Sequence, residues 1–224
     1  RHPRGRNPLP LPHSDFRSAW ATYVEGGGTR RRLWAIGLGT MAFGMQDVLL
    51  EPYGGQVLGM SVGATTWLTA ALAGGGLCGF ALASNILSRG ADPARLAVAG
   101  AWFGIPAFAA VTLAAAAQSV GLFAIGVAVI GFSAGLFGHG TLTLTMNRAP
   151  KEQAGLALGA WGAVQATAAG MAVALGGIGR DIVSAMAAQG WFGTALAGPA
   201  TGYAFVYAME MVLLAVTIAV ISGL

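Results

Sequence analysis

The most constraining feature of this sequence is a series of six apolar segments, each close to the length that crosses a lipid bilayer. At a rise of 1.5 Å per residue, about 20 helical residues span a hydrocarbon core roughly 30 Å thick. Only 9% of the 224 residues are charged, against roughly 25% in soluble domains. We therefore predict an all-α polytopic membrane protein. Its six transmembrane helices are predicted at residues 33–50, 64–87, 94–117, 120–146, 154–178 and 201–221.

The basic residues fall on alternate connections between these segments. Residues 30–32, all arginine, precede the first segment. The second connection carries Arg89, with Arg95 just beyond it, and the fourth carries Arg148 and Lys151. The first and third connections carry none, and the fifth carries only Arg180, beside Asp181. Because cytoplasmic loops are enriched in Lys and Arg, we predict that this side and both ends of the chain are cytoplasmic. The net charge of +4 then reflects topology and not a nucleic-acid surface.

The sequence before the first segment is polar and punctuated by proline and arginine. We predict a cytoplasmic linker at residues 1–32, ahead of a transmembrane domain at residues 33–224. A short interfacial helix is predicted at residues 15–23, with Phe16, Trp20 and Tyr23 on its apolar side. A chain that opens in a linker is expected to be the second part of a longer protein.

The end of the first segment carries an unusual group of polar residues, Gln46, Asp47 and Glu51. Asp47 and Glu51 are four residues apart and would share one helical face. The helix is predicted to break at Pro52 and the glycines at 54 and 55. Two interpretations stay open: a polar gate, proton site or partner contact at the membrane surface, with Gln46 anchoring the pair, or two carboxylates that simply meet water.

Two further ionisable residues lie deep in predicted helices. Glu210 is in the middle of the last segment, where a carboxyl group is expected to be paired, protonated or exposed to an aqueous cavity. His139 lies in the fourth segment between two glycines, and a neutral imidazole nitrogen can ligate the magnesium of a chlorin ring. The alternative for His139 is a hydrogen bond to a neighbouring helix.

Other polar and aromatic residues are candidates for contact with cargo. Gln165 and Trp161 are one turn apart in the fifth segment and are predicted to line the same interior as Glu210. Trp67 and Trp161 are candidates to stack on a macrocycle, although tryptophan is also common at membrane interfaces. No residues form a nucleophile and base, a site of several metal ligands or a hydride-transfer site. We predict no enzymatic activity and no bound metal.

Pairs of glycines four residues apart indicate where helices approach closely. The alternative is chance, because the chain contains 36 glycines. The helix-packing pairs are predicted to be Gly75 and Gly79, Gly131 and Gly135, and Gly155 and Gly159.

Several stretches resemble the PucC/LhaA family of phototrophic bacteria. The similarity begins with QDVLLEPYGGQVLGM at residues 46–60 and continues through residues 61–76. It reappears in GLALGAWGAVQATAAG at 155–170 and TGYAFVYAMEM at 201–211. NILSRGADPAR at 85–95 is similar to a degenerate loop motif of the major facilitator superfamily. The resemblance implies the C-terminal half of a twelve-helix major-facilitator fold, whose six N-terminal helices are absent here and would be a partner.

The resemblance also implies a function that the composition does not indicate. Such proteins assist assembly of the light-harvesting complexes LH1 or LH2 in the intracytoplasmic photosynthetic membrane, and bacteriochlorophyll is the implied cofactor or cargo. Implied partners are membrane lipid, antenna polypeptides, the reaction centre and bacteriochlorophyll synthase. Two other functions stay open. One is a proton-coupled small-molecule carrier that titrates Asp47 and Glu210, and the other is a structural subunit bound to a photosynthetic complex.

Overall fold

The structure, a computed structural model, describes residues 16–26 and 28–223, and all regular structure in these ranges is helical. Of the linker predicted at residues 1–32, residues 1–15 lie outside these ranges, and most of the remainder is helical. Short 3₁₀ turns occur at Met45–Val48, Lys151–Gln153 and Thr194–Leu196. The α-helices are α1 (Phe16–Glu25), α2 (Thr29–Gly44), α3 (Leu50–Leu58), α4 (Val62–Ser88), α5 (Pro93–Ala117), α6 (Val120–Arg148), α7 (Ala154–Ala188) and α8 (Ala200–Ser222).

The number of spans agrees with the hydropathy of the sequence. Five helices, α4 to α8, are long and apolar enough to cross a membrane. The bent pair of α2 with its 3₁₀ extension and α3 makes a sixth if it is counted as one span. The prediction of an all-α polytopic membrane protein is confirmed.

Polar side chains begin three of the spans at the water interface. Ser61 Oγ accepts a hydrogen bond from the backbone N–H of Ala64, and Ser119 Oγ accepts one from Leu122. Asp92 Oδ1 accepts one from Ala94, at the start of α5. A side-chain acceptor here satisfies one of the donors that the first helical turn leaves free.

Helix α6 is the centre of the bundle and packs most extensively against α4 and α5. Helix α5 also packs on α8, and α2 packs on α7 and α8. The core is rich in buried aromatic side chains contributed by five helices: Phe43, Tyr53, Phe108, Phe123, Phe137, Tyr203 and Tyr207.

Four helix ends meet at one side of the bundle, which we call the basic end. Arg31 and Arg32 at the start of α2, Ala94 at the start of α5, and Arg148 at the end of α6 line one small cavity with Gly223, which follows α8. The loop from Arg89 to Asp92 leads into α5 at this same end. The basic residues before the first span and in the second and fourth connections therefore lie at the same end of the bundle, as predicted. That this end is cytoplasmic stays a prediction.

The first span breaks earlier than predicted. The α-helix gives way to a 3₁₀ turn at Met45, and α3 then continues through Pro52 and both following glycines to Leu58. Proline is tolerated in the first turn of α3 because the N–H groups of that turn have no acceptor within the helix, so the missing N–H costs little. Helix α3 ends instead at Gly59, whose φ of 64° is in the left-handed region that glycine adopts freely.

Two other boundaries differ from the prediction. Helix α7 continues to Ala188, so Arg180 and Asp181 lie inside a helix and not in a loop. Arg180 is stabilised there by an ion pair with Asp181 at 2.8 Å and by the ring of Tyr203, 5.0 Å from its guanidinium carbon.

Helix α2 begins at Thr29, so residues 30–32 form its first turn. Helix α1 covers the predicted interfacial helix from residue 16 onward, with Tyr23 buried and Trp20 partly exposed.

Candidate functional site

A carboxyl group from α8 meets the break in the first span. Glu210 is completely buried, and its Oε1 accepts a hydrogen bond of 2.7 Å from the backbone N–H of Gln46. A side chain that bonds to the backbone within a helix is a recognised cause of a kink. The bend of 46° between α2 with its 3₁₀ turn and α3 follows at this point. Glu210 therefore holds the junction between the two halves of the span.

Several polar oxygens near this junction have no partner. Within the part of the chain that the structure describes, no group hydrogen-bonds to Glu210 Oε2, Gln46 Oε1 or Tyr207 Oη, and all three atoms are buried. Tyr207 precedes Glu210 by one helical turn on α8. Buried acceptors without donors are costly, so such a group has to be compensated by a proton, a water molecule or another ligand.

The two carboxylates predicted to act together have different partners. Asp47 Oδ1 accepts a hydrogen bond of 2.7 Å from Gln46 Nε2, which joins it to the Glu210 junction. Glu51 Oε1 instead accepts one of 3.0 Å from the Thr69 hydroxyl on α4. Both carboxylates are exposed on the protein surface. Gln46 thus anchors Asp47 and not the pair.

Three tyrosines pack beside this junction and were not predicted as a group. The ring of Tyr53 on α3 contacts those of Tyr203 and Tyr207 edge to face, at centroid distances of 5.3 and 5.7 Å. Tyr53 Oη donates to the Val111 carbonyl at 2.9 Å, and Tyr203 Oη donates to Gln56 Oε1 at 2.8 Å. The spacing of Tyr203, Tyr207 and Glu210 along one face of α8 was the signal available in the sequence.

A large apolar groove runs between α1, α2 and α7. Its volume is about 1310 Å³, and among the described residues that line it Arg30 is the charged one. We call it the α2/α7 groove. The residues that line it are Ala19, Trp20, Val24, Arg30, Leu33, Trp34, Gly37, Leu38, Met41, Gly155, Leu156, Gly159, Ala160, Ala163, Val164, Thr167, Ala168 and Met171.

The predicted glycine pairs divide between a closed interface and this groove. A Cβ atom at Gly75 or Gly79 would overlap backbone carbonyls of α6, and one at Gly131 or Gly135 would overlap those of α4. These four glycines therefore interlock α4 with α6. Gly155 and Gly159 differ from the prediction. Their Cβ positions meet nothing within 4 Å, and both residues line the α2/α7 groove.

The remaining predicted cargo residues are divided between α4 and α7. Trp161 is half-buried, and its Nε1 donates to Thr141 Oγ1 on α6 at 3.4 Å. Gln165 is half-buried on the same helix, and neither residue lines the groove. Trp67 is 77% exposed on α4. The structure thus does not bring these three residues together at one site.

His139 contacts an aromatic ring in place of a polar neighbour. Its imidazole lies edge to face with Phe80 of α4, with ring centroids 4.2 Å apart. Its Nδ1 is buried and has no hydrogen-bond partner among the residues described. The alternative of a hydrogen bond to a neighbouring helix therefore does not hold for Nδ1. Residues 16–26 and 28–223 contain no cluster of three or more His, Cys, Asp or Glu side chains that could hold a metal ion.

Comparison with known proteins identifies the relatives of this chain. A family model described as "PUCC protein" matches residues 4–224. The chain is 62% identical to Protein PucC of Rhodovulum sulfidophilum over 172 residues, which cover 77% of this chain and 38% of that protein. It is 51% identical to Protein PucC of Cereibacter sphaeroides over 215 residues, covering 96% of the chain and 46% of the relative.

A third relative is an uncharacterized protein of the puhA-bchM intergenic region in Rhodobacter capsulatus. It is 49% identical over 213 residues, which cover 95% of this chain and 44% of that protein. No solved structure matches the chain. The chain spans less than half the length of these curated relatives. Since the family model covers nearly all its residues and the identities are high, the chain belongs to the PucC family.

Proposed function

We propose that this protein is an assembly factor for light-harvesting complexes and that the α2/α7 groove receives a hydrophobic partner during assembly. The observation that carries the proposal is the open Gly155 and Gly159 pair inside a groove lined almost wholly by apolar residues. Membership of the PucC family supplies the assembly context. The groove supplies a surface on which binding needs shape complementarity and no chemical reaction.

The favoured occupant is the single transmembrane helix of an antenna polypeptide. Small residues four apart on a helix let a second helix backbone approach closely within lipid. Gly155 and Gly159 are one turn apart, and Ala163 continues the same row along the groove. Elsewhere in the bundle this motif is already filled, as between α4 and α6. In the groove it is still available for a partner.

The proposal includes bacteriochlorophyll as cargo handled together with the antenna helix. A groove of about 1310 Å³ with Trp20 and Trp34 in its wall suits a bulky apolar pigment. His139 is the alternative pigment site, but Phe80 packs against its ring and Nδ1 is buried. Both facts favour the groove. Histidine substitution should therefore leave pigment handling largely unchanged.

The remaining half of the longer relatives is a further proposed partner. The apolar windows of α4 and α7 are only 11% and 22% buried, the lowest values among the five long spans. Helices that are apolar on all sides belong against lipid or against other helices. We assign the exposed surface of α4, and that of α7 outside the α2/α7 groove, to contacts with the preceding half of the protein, in the photosynthetic membrane and with the basic end in the cytoplasm.

The test is a leucine inserted into the groove of the full-length protein. Gly159→Leu fills the open row and is expected to reduce antenna absorbance in the near infrared and crosslinking to antenna polypeptides by tenfold or so. Gly170→Leu is the matched control on α7, because Gly170 is also open but does not line the groove. Equal antenna levels in both variants, at equal protein abundance, would refute the docking site.

A proton-coupled carrier is the second candidate, and the buried Glu210 favours it. A carboxyl group inside a span that lacks a full set of partners marks many proton pathways. This function predicts that Asp47→Asn or Glu210→Gln abolishes uptake into proteoliposomes while antenna assembly continues. A structural subunit, the third candidate, would remain stoichiometric with mature complexes, whereas an assembly factor would be substoichiometric and transient.

A further inference from the structure

Three guanidinium groups surround a small cavity at the basic end of the bundle. The cavity has a volume of about 240 Å³ and lies where α2, α5, α6 and α8 meet. Arg31, Arg32 and Arg148 supply its charge. The other lining residues are Gly28, Ala94, Leu144 and Gly223. This cavity is separate from the α2/α7 groove and shares no residue with it.

Neutral acceptors hold two of these guanidinium groups in place. Arg31 donates from Nε to the Val220 carbonyl at 2.9 Å and from an Nη to the Gly223 carbonyl at 2.8 Å. Arg32 is only 6% exposed and donates to Thr29 Oγ1 at 2.9 Å. These bonds fix the position of the two groups, and the acceptors that they use carry no charge. A guanidinium has five N–H donors, so donors remain available on Arg31.

Among the residues that the structure describes, no acidic side chain lines the cavity. Arg148 is exposed and has no hydrogen bond or ion pair within the described ranges. The nearby Asp92 caps α5 through Ala94, and its other oxygen lies 3.9 Å from Arg95 Nε. Like charges gathered around one cavity repel each other, and an anion between them relieves that repulsion. The guanidinium groups in the lining therefore favour an anionic ligand.

We propose that this cavity binds the headgroup phosphate of an anionic membrane phospholipid. The planar fork of an arginine matches two phosphate oxygens, and basic pockets between helix ends bind acidic headgroups. About 240 Å³ accommodates a phosphodiester but not a whole pigment or nucleotide. Ala94 and Leu144 supply the apolar part of the cavity wall. A lipid is favoured over free phosphate because the cavity lies at the ends of spanning helices.

The test measures lipid retention by native mass spectrometry of the purified full-length protein. Phosphatidylglycerol and phosphatidylcholine are added separately to the wild type, Arg148→Gln and Arg89→Gln. Arg148 makes no contact that the fold needs, so its variant is expected to fold. Arg89 is an exposed arginine at the same end of the bundle that does not line the cavity, and it serves as the control.

The expected result is selective binding of phosphatidylglycerol that weakens about fivefold in Arg148→Gln and hardly changes in Arg89→Gln. Three outcomes would overturn the proposal. They are equal retention of both lipids by the wild type, equal losses in the two variants, and displacement of the lipid by millimolar inorganic phosphate, which would identify a site for the free anion. None of these outcomes bears on the α2/α7 groove or on the assembly function.

Discussion

Two helix pairs in this protein use small residues in opposite ways. Helices α4 and α6 interlock along most of their length, with Gly75, Gly79, Gly131 and Gly135 each against the backbone of the other helix. Helix α7 packs closely against the break in the first span, where a Cβ at Gly176 would lie 2.9 Å from the Met45 carbonyl. Farther along α7, Gly155 and Gly159 meet no neighbour within 4 Å and line the α2/α7 groove.

This difference shows that a pair of small residues four apart allows a second helix to approach closely but does not by itself predict that one does. Between α4 and α6 this capacity is used to hold the bundle together. Beside α7 it is used at the break, where Glu210 also bonds to Gln46, and not at Gly155 and Gly159. The rest of that surface contributes little to the stability of the isolated bundle, which makes it available for a partner. Four pairs of substitutions test this contrast.

The largest expected effect is at the closed interface. Gly131→Leu drives a side chain into the Leu72 carbonyl on α4 and should lower the free energy of unfolding by about 3 kcal/mol. Gly138→Leu on the same helix meets open space and serves as the control. Unfolding in detergent, followed by circular dichroism, measures both. Similar midpoints for the two variants would contradict the interlocked packing of α4 and α6.

The next effect is at the junction that closes one end of the α2/α7 pair. Glu210→Ala removes the acceptor for the Gln46 N–H in a buried site and should cost about 2 kcal/mol. Glu210→Gln keeps an acceptor oxygen and should retain most of the stability. Denaturant titration compares the two variants. If the glutamine variant unfolds as easily as the alanine variant, the hydrogen bond does not hold the break.

A smaller effect is expected in the tyrosine cluster beside the break. Tyr203→Phe loses the hydrogen bond to Gln56 and should cost about 1 kcal/mol. Tyr207→Phe should be neutral or slightly stabilising, because the Tyr207 hydroxyl is buried without a partner among the described residues. Thermal unfolding of the two variants, one turn apart on α8, gives the comparison. A larger loss for Tyr207→Phe would reveal an unrecognised partner at the Glu210 junction.

The smallest effect, of opposite sign, is expected in the open groove. Gly159→Ala adds a methyl group in empty space and gains helix propensity, so the free energy of unfolding should rise by about 0.5 kcal/mol. Gly79→Ala, where the methyl group meets the Phe132 carbonyl, should instead lower it. The sign of each change, read from the unfolding midpoint, decides whether the two glycine surfaces differ as described.

Local sequence determined the helices but not the irregular places in them. Apolar runs mark α4, α5, α6 and α8 closely because lipid requires each span to satisfy its own backbone hydrogen bonds. The predicted break at Pro52 was misplaced, since the bond that perturbs the helix comes from Glu210, 164 residues away from Gln46. The end of α7 was misplaced because Tyr203 stabilises Arg180 inside the helix, and hydropathy does not register that contact.

The sequence alone therefore determined the class of protein, the number of spans and which of their ends share one side. Hydrophobic length and charge placement are properties of each segment by itself, so they can be read without a partner. Only the tertiary structure decided which glycines interlock, where the first span bends and which small-residue surface stays open. Those outcomes depend on which helix lies opposite. The same glycine pair forms a contact where a neighbouring helix packs on it and lines a groove where no helix does.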